Sequence, residues 1–255
     1  MTATPKLRLG DSEVARIGLG TNRLANTAEN VALIEAAVAA GVQLIDTAHT
    51  YAGGESEETI GAALSQRDDG YLVATKGGWN GASPDVLREE IDESLRRLRT
   101  DSIGLYYLHR PDPSTRLEES LRAIGDAHES GKIRRVGISN VTVDEIERAR
   151  RVVPVTAVQN RFSLADRTND DVVDYCGAEG IAFVAYFPLR RVGGHALATI
   201  AERRGVTEPQ VALAWLLKRS PTVLPIPGTL SPDHLKENLA ALELQLSDAE
   251  YEALL

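Results

Sequence analysis

The 255-residue sequence contains a single cysteine, Cys176, which excludes an intramolecular disulfide framework and leaves the fold to its core. It also lacks an excess of basic charge: 28 Lys and Arg stand against 37 Asp and Glu, a formal net charge of -9. A surface for nucleic acid or an anionic membrane needs a concentrated cationic face, so neither partner is expected. The longest basic clusters, Arg96-Arg97 with Arg99 and Arg148 with Arg150-Arg151, fall in helical patterns among acids and read as solvated faces. No apolar run calls for a membrane span, and the first residues lack the apolar core of a signal peptide, so a reducing cytoplasm is expected. No His-x-His pair occurs, which counts against a metal-dependent hydrolase built on Asp46, His49 and His109. Cys176 shares an apolar helical stripe with Val172 and Val173 and reads as buried filler.

What remains is an ordinary globular balance of 43% hydrophobic and 25% charged residues, at a length that suits one α/β barrel. Residues 6–17 read as a hairpin, Lys6 to Leu9 and Glu13 to Ile17, turning at Gly10-Asp11-Ser12. Short apolar strands then alternate with helical patterns, near 17–20, 42–46, 71–76, 103–109, 135–139, 155–159, 182–186 and 222–226. Capping-box spacing marks helix starts at Thr115/Glu118, Thr142/Glu145, Thr207/Gln210 and Ser247/Glu250, and Ser83-Pro84 marks another. Leu87, Ile91, Leu95 and Leu98 form one apolar stripe, while Gly41, Gly131, Gly180 and Gly205 stand where helices should stop. Repeated strand, helix, strand units with right-handed crossovers predict an (α/β)8 TIM barrel with an N-terminal β-hairpin, one domain over 1–255. An open doubly wound sheet fits the same alternation, but its Gly-rich fingerprint is incomplete at Gly18-Leu19-Gly20-Thr21-Asn22-Arg23.

Reactive groups of such a barrel sit at the C-terminal ends of its strands. Here the strands run out into Asp46, Lys76, His109, Ser139-Asn140, Gln159-Asn160 and Tyr186, and Tyr51 follows Asp46 by five positions. A phenol, with a reference pKa of about 10, donates a proton poorly at neutral pH unless a cation stabilises its anion. Lys76 supplies a cation, Asp46 a carboxylate to hold it, and His109 a ring to orient a substrate oxygen.

The motifs Asp46-Thr-Ala-His-Thr-Tyr51, Ala74-Thr-Lys76, Leu108-His109-Arg-Pro111, Gly137-Ile-Ser139-Asn140, Gln159-Asn160, Tyr186-Phe-Pro188-Leu189 and Ile226-Pro-Gly228-Thr229 through Glu237-Asn238 resemble the aldo-keto reductases. They occur in that family's order from Gly20 to Asn238. The resemblance implies a barrel that reduces carbonyl compounds with a nicotinamide cofactor, usually NADPH, and without metal. It implies Tyr51 as general acid, Lys76 as the cation beside it, Asp46 as the group that orients Lys76, and His109 as the group that positions the carbonyl. Gly20, Thr21 and Ile226 then belong to the cofactor cleft. Ser139, Asn140 and Gln159 are expected to hold the nicotinamide carboxamide, and Tyr186 to stack on the ring. The backbone from Phe187 through Pro188 and Leu189 to Arg190 is expected to pass the pyrophosphate, and Gly228, Thr229, Ser231, His234, Glu237 and Asn238 to meet the adenosine end.

Two departures from the family pattern bear on the ligands. Gly228 and His234 occupy positions where the family commonly has cations for the 2'-phosphate, so NADPH is expected with NADH as the alternative. Asn22 and Arg110 replace pocket aromatics and make the substrate site more polar, with Trp79 as an apolar wall. The early stop after the last helix predicts an open pocket without a long closing loop. The expected partner is a small carbonyl substrate, and the expected assembly a monomer or weak homo-oligomer. A competing reading is a regulatory module of the same fold that binds NAD(P) with negligible turnover.

Overall fold

The computed structural model describes residues 6–65 and 70–255. Strands β1 (Lys6–Leu9) and β2 (Ser12–Ala15) pair antiparallel with Leu9 opposite Ser12. The hairpin therefore turns on the two residues Gly10 and Asp11, not on three, and β2 ends short of Ile17. Gly10 takes a φ of 62°, a left-handed conformation that costs glycine little and lets the turn stay this short.

The main sheet has eight strands: β3 (Leu19–Gly20), β4 (Leu44–Asp46), β5 (Leu72–Gly77), β6 (Leu105–Leu108), β7 (Val136–Ser139), β8 (Val155–Arg161), β9 (Ala182–Tyr186) and β10 (Val223–Pro225). Each pairs in parallel with the next in chain order. A parallel bridge from Gly20 to Gly228, with Gly18 N donating to Pro225 O at 3.0 Å and Gly20 N to Pro227 O at 3.2 Å, joins the first strand to the last and closes the barrel. The seam requires glycine, because a Cβ on Gly20 would stand 2.8 Å from Ile226 O and one on Gly18 2.9 Å from Leu44 O. All eight expected strands are present. Their ladders are mostly shorter than the apolar runs, and β6 ends at Leu108, one residue before His109.

Helices α1 (Ala28–Ala39), α2 (Glu55–Leu64), α3 (Pro84–Leu98), α4 (Leu117–Glu129), α5 (Val143–Arg150), α6 (Asp170–Glu179), α7 (His195–Arg204), α8 (Glu208–Arg219), α9 (Pro232–Ala240) and α10 (Asp248–Glu252) lie outside the strands. Capping boxes form at Thr142, Thr207 and Ser247, and Ser83 caps α3 ahead of Pro84. The expected box at Thr115 does not form. Asp112 accepts from the Thr115 hydroxyl and from Ser114, which pulls Thr115 into a turn, and α4 starts one residue later from Arg116. Gly180 and Gly205 cap α6 and α7 in the left-handed conformation, and Gly41 and Gly131 take positive φ just after α1 and α4.

Two apolar layers follow from the strand period. Inside the barrel, Leu44, Leu72, Ala74, Leu105, Tyr107, Ala157, Ala182, Val184 and Leu224 pack together, and Leu9 and Val14 of the hairpin join this cluster. Gly137 makes the room for Tyr107, since a Cβ there would stand 2.4 Å from the Tyr107 ring. Between sheet and helices lies a larger layer that takes Leu87, Ile91 and Leu98 of α3, with Leu95 half-buried at its edge. Cys176 is buried in that layer, and burial pushes its thiol up to about 12, which fits a packing residue.

Candidate functional site

The strand ends converge on one cavity of about 600 Å³, lined by Gly20, Thr21, Asn22, Asp46, Thr50, Tyr51, Trp79, His109, Arg110, Ser139, Asn140, Gln159, Tyr186, Phe187, Pro188, Ile226 and Gly228. Next to the lining residues Asp46 and Tyr51, Lys76, 1% exposed, donates from Nζ to Asp46 Oδ1 at 2.5 Å and to Thr47 O at 2.6 Å, with Nζ 4.9 Å from the centroid of the Tyr51 ring. Asp46 Oδ2 accepts from Gln159 Nε2 at 2.7 Å. Burial raises the Asp46 carboxyl above its ordinary value, and Lys76 and Gln159 offset only part of that rise. With both oxygens accepting, the pair is charged: burial opposes the Lys76 ammonium, but Asp46 and Tyr51 outweigh it and hold lysine above its usual range.

His109 is buried at the cavity wall, edge-on to Tyr51 with ring centroids 6.0 Å apart and tilted against Trp79 at 4.7 Å. Its Nδ1 is buried without a hydrogen-bond partner among the described residues. Burial, then the charges of Lys76 and Arg110, lower its pKa to about 3, so the ring is neutral at working pH. A neutral imidazole next to a phenol and a buried ammonium can position a carbonyl oxygen without adding a second cation.

The expected nicotinamide contacts lie together on one side, with their polar atoms already in use. Ser139 Oγ donates to Gln159 O at 2.6 Å, Asn140 Nδ2 to His109 O at 2.9 Å, and Tyr186 Oη to Asn140 Oδ1 at 2.7 Å. Thr21, also lining the cavity, donates its hydroxyl to Asp46 O at 2.8 Å, and its oxygen shares a further hydrogen bond with the Ser56 hydroxyl at 2.8 Å, which supports the end of β4. Phe187 is exposed at a φ of 51°, and Arg190 lines neither cavity: its guanidinium carbon lies 5.9 Å from the Phe187 ring centroid.

A second cavity of about 530 Å³ shares Gly228 with the first and holds Leu189, Thr229, Leu230, Ser231, His234, Glu237 and Asn238, with Arg23 and Pro209. Thr229 Oγ1 accepts from Ser231 N at 3.0 Å, and Ser231 Oγ caps α9 by accepting from His234 N at 3.3 Å. Those hydroxyls serve the turn. Arg23 makes no ion pair among the described residues, and sequence reasoning missed it. Its only signal was its place two residues after Thr21, since the strand pattern stops before it.

Behind the cavity the helix face of α3 carries a polar network. His49 Nε2 lies 2.9 Å from Glu93 and its Nδ1 3.4 Å from Glu90, whose other oxygen accepts from Gly78 N at 2.6 Å. Arg97 donates to His49 O at 2.9 Å and pairs with Glu93 at 2.8 Å and with the buried Glu57 at 3.4 Å. The reading of Arg97 as part of a solvated face is therefore wrong: Glu57 of α2 and Glu93 of α3 itself draw it inward, while Arg96 stays exposed. Arg148 and Arg150 pair near the surface with Glu118 and Glu179. Among the described residues, no group of three or more His, Cys, Asp or Glu side chains is placed to hold a metal ion, and no helix is long and apolar enough to cross a membrane.

Comparison with known proteins gives the same direction throughout. The model of the Aldo/keto reductase family matches residues 16–194 and 191–254. Pyridoxine 4-dehydrogenase of Escherichia coli is 34% identical over 268 residues, covering 94% of this chain and 93% of that protein. An uncharacterized oxidoreductase of Schizosaccharomyces pombe is 36% identical over 263 residues, covering 94% and 86%. Among solved structures, an aldo-keto reductase from Klebsiella pneumoniae in complex with NADPH superposes with a TM-score of 0.92 at 31% identity, covering 99% of this chain and 94% of that one. A thermostable aldo-keto reductase bound to the inhibitor epalrestat also gives 0.92, at 32% identity and 98% coverage of both.

Proposed function

This chain belongs to the aldo/keto reductase family, and on that premise we propose that it reduces the carbonyl group of a small aldehyde or ketone to an alcohol, with Tyr51 as proton donor. Bound NADPH, the cofactor named with an aldo-keto reductase neighbour from Klebsiella pneumoniae, would supply the hydride for the carbonyl carbon. The observation that carries the assignment is the buried Lys76, held charged by Asp46 and set 4.9 Å from the ring of Tyr51, which lines the cavity.

Tyr51 gives its proton to the carbonyl oxygen as negative charge grows there, and Lys76 stabilises the phenolate left behind. Asp46 fixes the ammonium in place, and Gln159 fixes Asp46. His109, neutral, directs the substrate oxygen toward Tyr51. Ser139, Asn140 and Gln159 would exchange some of their present hydrogen bonds for the carboxamide of a nicotinamide, beside Tyr186, whose ring is its flat partner.

The chain's own residues fit the dinucleotide. The two cavities both border Gly228, an arrangement that suits a dinucleotide running from Tyr186 past Leu189 to Asn238. With Gly228 and His234 in place of fixed cations, Arg23 is the guanidinium available to the 2'-phosphate at the far end. The same reading takes residues 1–255 as a single domain. Parallel fluorescence titration with NADPH and NADH, followed by a carbonyl panel with the preferred cofactor, tests it. Tight NADPH binding without turnover of any carbonyl would favour a regulatory module instead.

A further inference from the structure

We propose that the carbonyl compound taken by this site carries a carboxylate, and that Arg110 receives it. The proposal rests on the reductase reading above and names its substrate class. Arg110 follows His109 in the chain and lines the same cavity. Its side chain is anchored twice: Nε donates to Trp79 O at 3.1 Å, and its guanidinium carbon lies 4.6 Å from the centroid of the Trp79 ring. Trp79 in turn lies against His109 at 4.7 Å. These contacts use one N–H and the face of the guanidinium, so the terminal N–H groups keep no protein acceptor among the described residues. A planar fork held by its face against an aromatic ring matches the two oxygens of a carboxylate.

The charges around Arg110 leave it unneutralised. Asp46, the carboxylate that lines the cavity, already accepts from Lys76 and Gln159. Asp112, two residues on, is turned away: it accepts from Ala82 N at 3.0 Å, from Ser114 N and Oγ, and from the Thr115 hydroxyl. Beyond it, Arg148 is paired with Glu118. In a protein of net charge -9 the cavity thus keeps a cation without an acid partner, and that same charge helps hold His109 neutral. A neutral substrate would leave the guanidinium facing water at the rim, whereas an anionic one gains a charge-assisted contact. Arg110 and His109 both rest against the Trp79 ring, at 4.6 Å and 4.7 Å from its centroid, so a short chain or one aromatic ring between carbonyl and carboxylate is the spacing the test uses.

The test compares 4-carboxybenzaldehyde and succinic semialdehyde, each against its neutral carboxamide, by NADPH oxidation. The acids are expected to be favoured about tenfold or more in kcat/KM, a preference that shrinks with salt. Arg110→Gln is expected to bring the acid-to-amide ratio close to one, and Arg110→Lys to keep part of it. Benzoate and benzamide titrations followed by tryptophan fluorescence give a binding readout free of turnover, with benzoate favoured and the preference lost in Arg110→Gln. Equal kcat/KM for acid and amide in the parent protein, or a preference that survives Arg110→Gln, overturns the proposal and leaves the reductase reading standing. If no aldehyde oxidises NADPH, it is the reductase reading that fails, and the benzoate titration alone decides whether Arg110 holds an anion.

Discussion

Gln159 donates from Nε2 to Asp46 Oδ2 at 2.7 Å, so a side chain expected at the nicotinamide also holds the carboxylate that holds Lys76. On the proposed reading, cofactor binding and proton delivery share one residue. Gln159→Ala is expected to weaken NADPH binding and to lower kcat as well, because Asp46 is left with one acceptor unfilled in a buried site. Tyr186→Ala should act mainly on the binding constant. Titrations and steady-state rates on both variants check this, and a Gln159→Ala enzyme with unaltered kcat would remove the link to Asp46.

Tyr51→Phe keeps the ring beside Lys76 and removes only the hydroxyl. Carbonyl reduction should fall roughly a hundred- to ten-thousand-fold, the range for loss of a positioned acid, with NADPH binding nearly unchanged. Normal turnover by this variant would end the assignment of the proton donor.

At the far end of the cleft, Arg23→Gln should weaken NADPH about tenfold and NADH much less, since only the former carries the 2'-phosphate. The gap between the two cofactors is expected to narrow in high salt even in the parent protein, because Arg23 is exposed. Equal losses for both cofactors would move Arg23 away from the phosphate.

His49 gains Glu90 first and Glu93 second as partners, and its pKa is raised. A raised histidine contributes stability in full below its unfolded value of about 6.5, and loses it as pH climbs through the higher folded value. Melting temperatures should therefore decline as pH rises from about 6, and His49→Gln should flatten that slope. Parallel slopes for the two proteins would mean that the pairing of His49 with Glu90 and Glu93 adds nothing to stability.

Gly20→Ala tests the seam. A methyl group would stand 2.8 Å from Ile226 O, a backbone atom with little freedom to retreat, and the expected loss is about 1–3 kcal/mol. Urea midpoints with and without NADPH measure it, and a variant as stable as the parent would show that the seam yields more easily than its spacing implies.

Much of this was readable in the sequence because the barrel writes its chemistry at fixed places. Each strand is a short apolar run, and the residue that leaves it is either reactive or not, so Asp46, Lys76, His109 and Tyr186 stand out even where ladder ends shift. Arg97 did not stand out. On a helix the same charge pattern suits water or a cleft lined by Glu57 and Glu93, and only packing decides between them. Thr115 had the spacing of a cap, but Asp112 competed for its hydroxyl and won. The second duty of Gln159 depends on a neighbour 113 positions away, a distance at which side-chain pairing leaves no local trace.

The bridge between Gly20 and Gly228 also dictates an order of events during folding. Its partners lie roughly two hundred residues apart, so closing it waits on the intervening strands and the entropy of a very long loop. Gly20 and Gly228 both border the main cavity. If the dinucleotide binds there as proposed, its site is complete only once the seam has closed, and the cofactor is expected to stabilise the finished barrel without speeding its assembly. Added NADPH should slow unfolding and leave the refolding rate as it is.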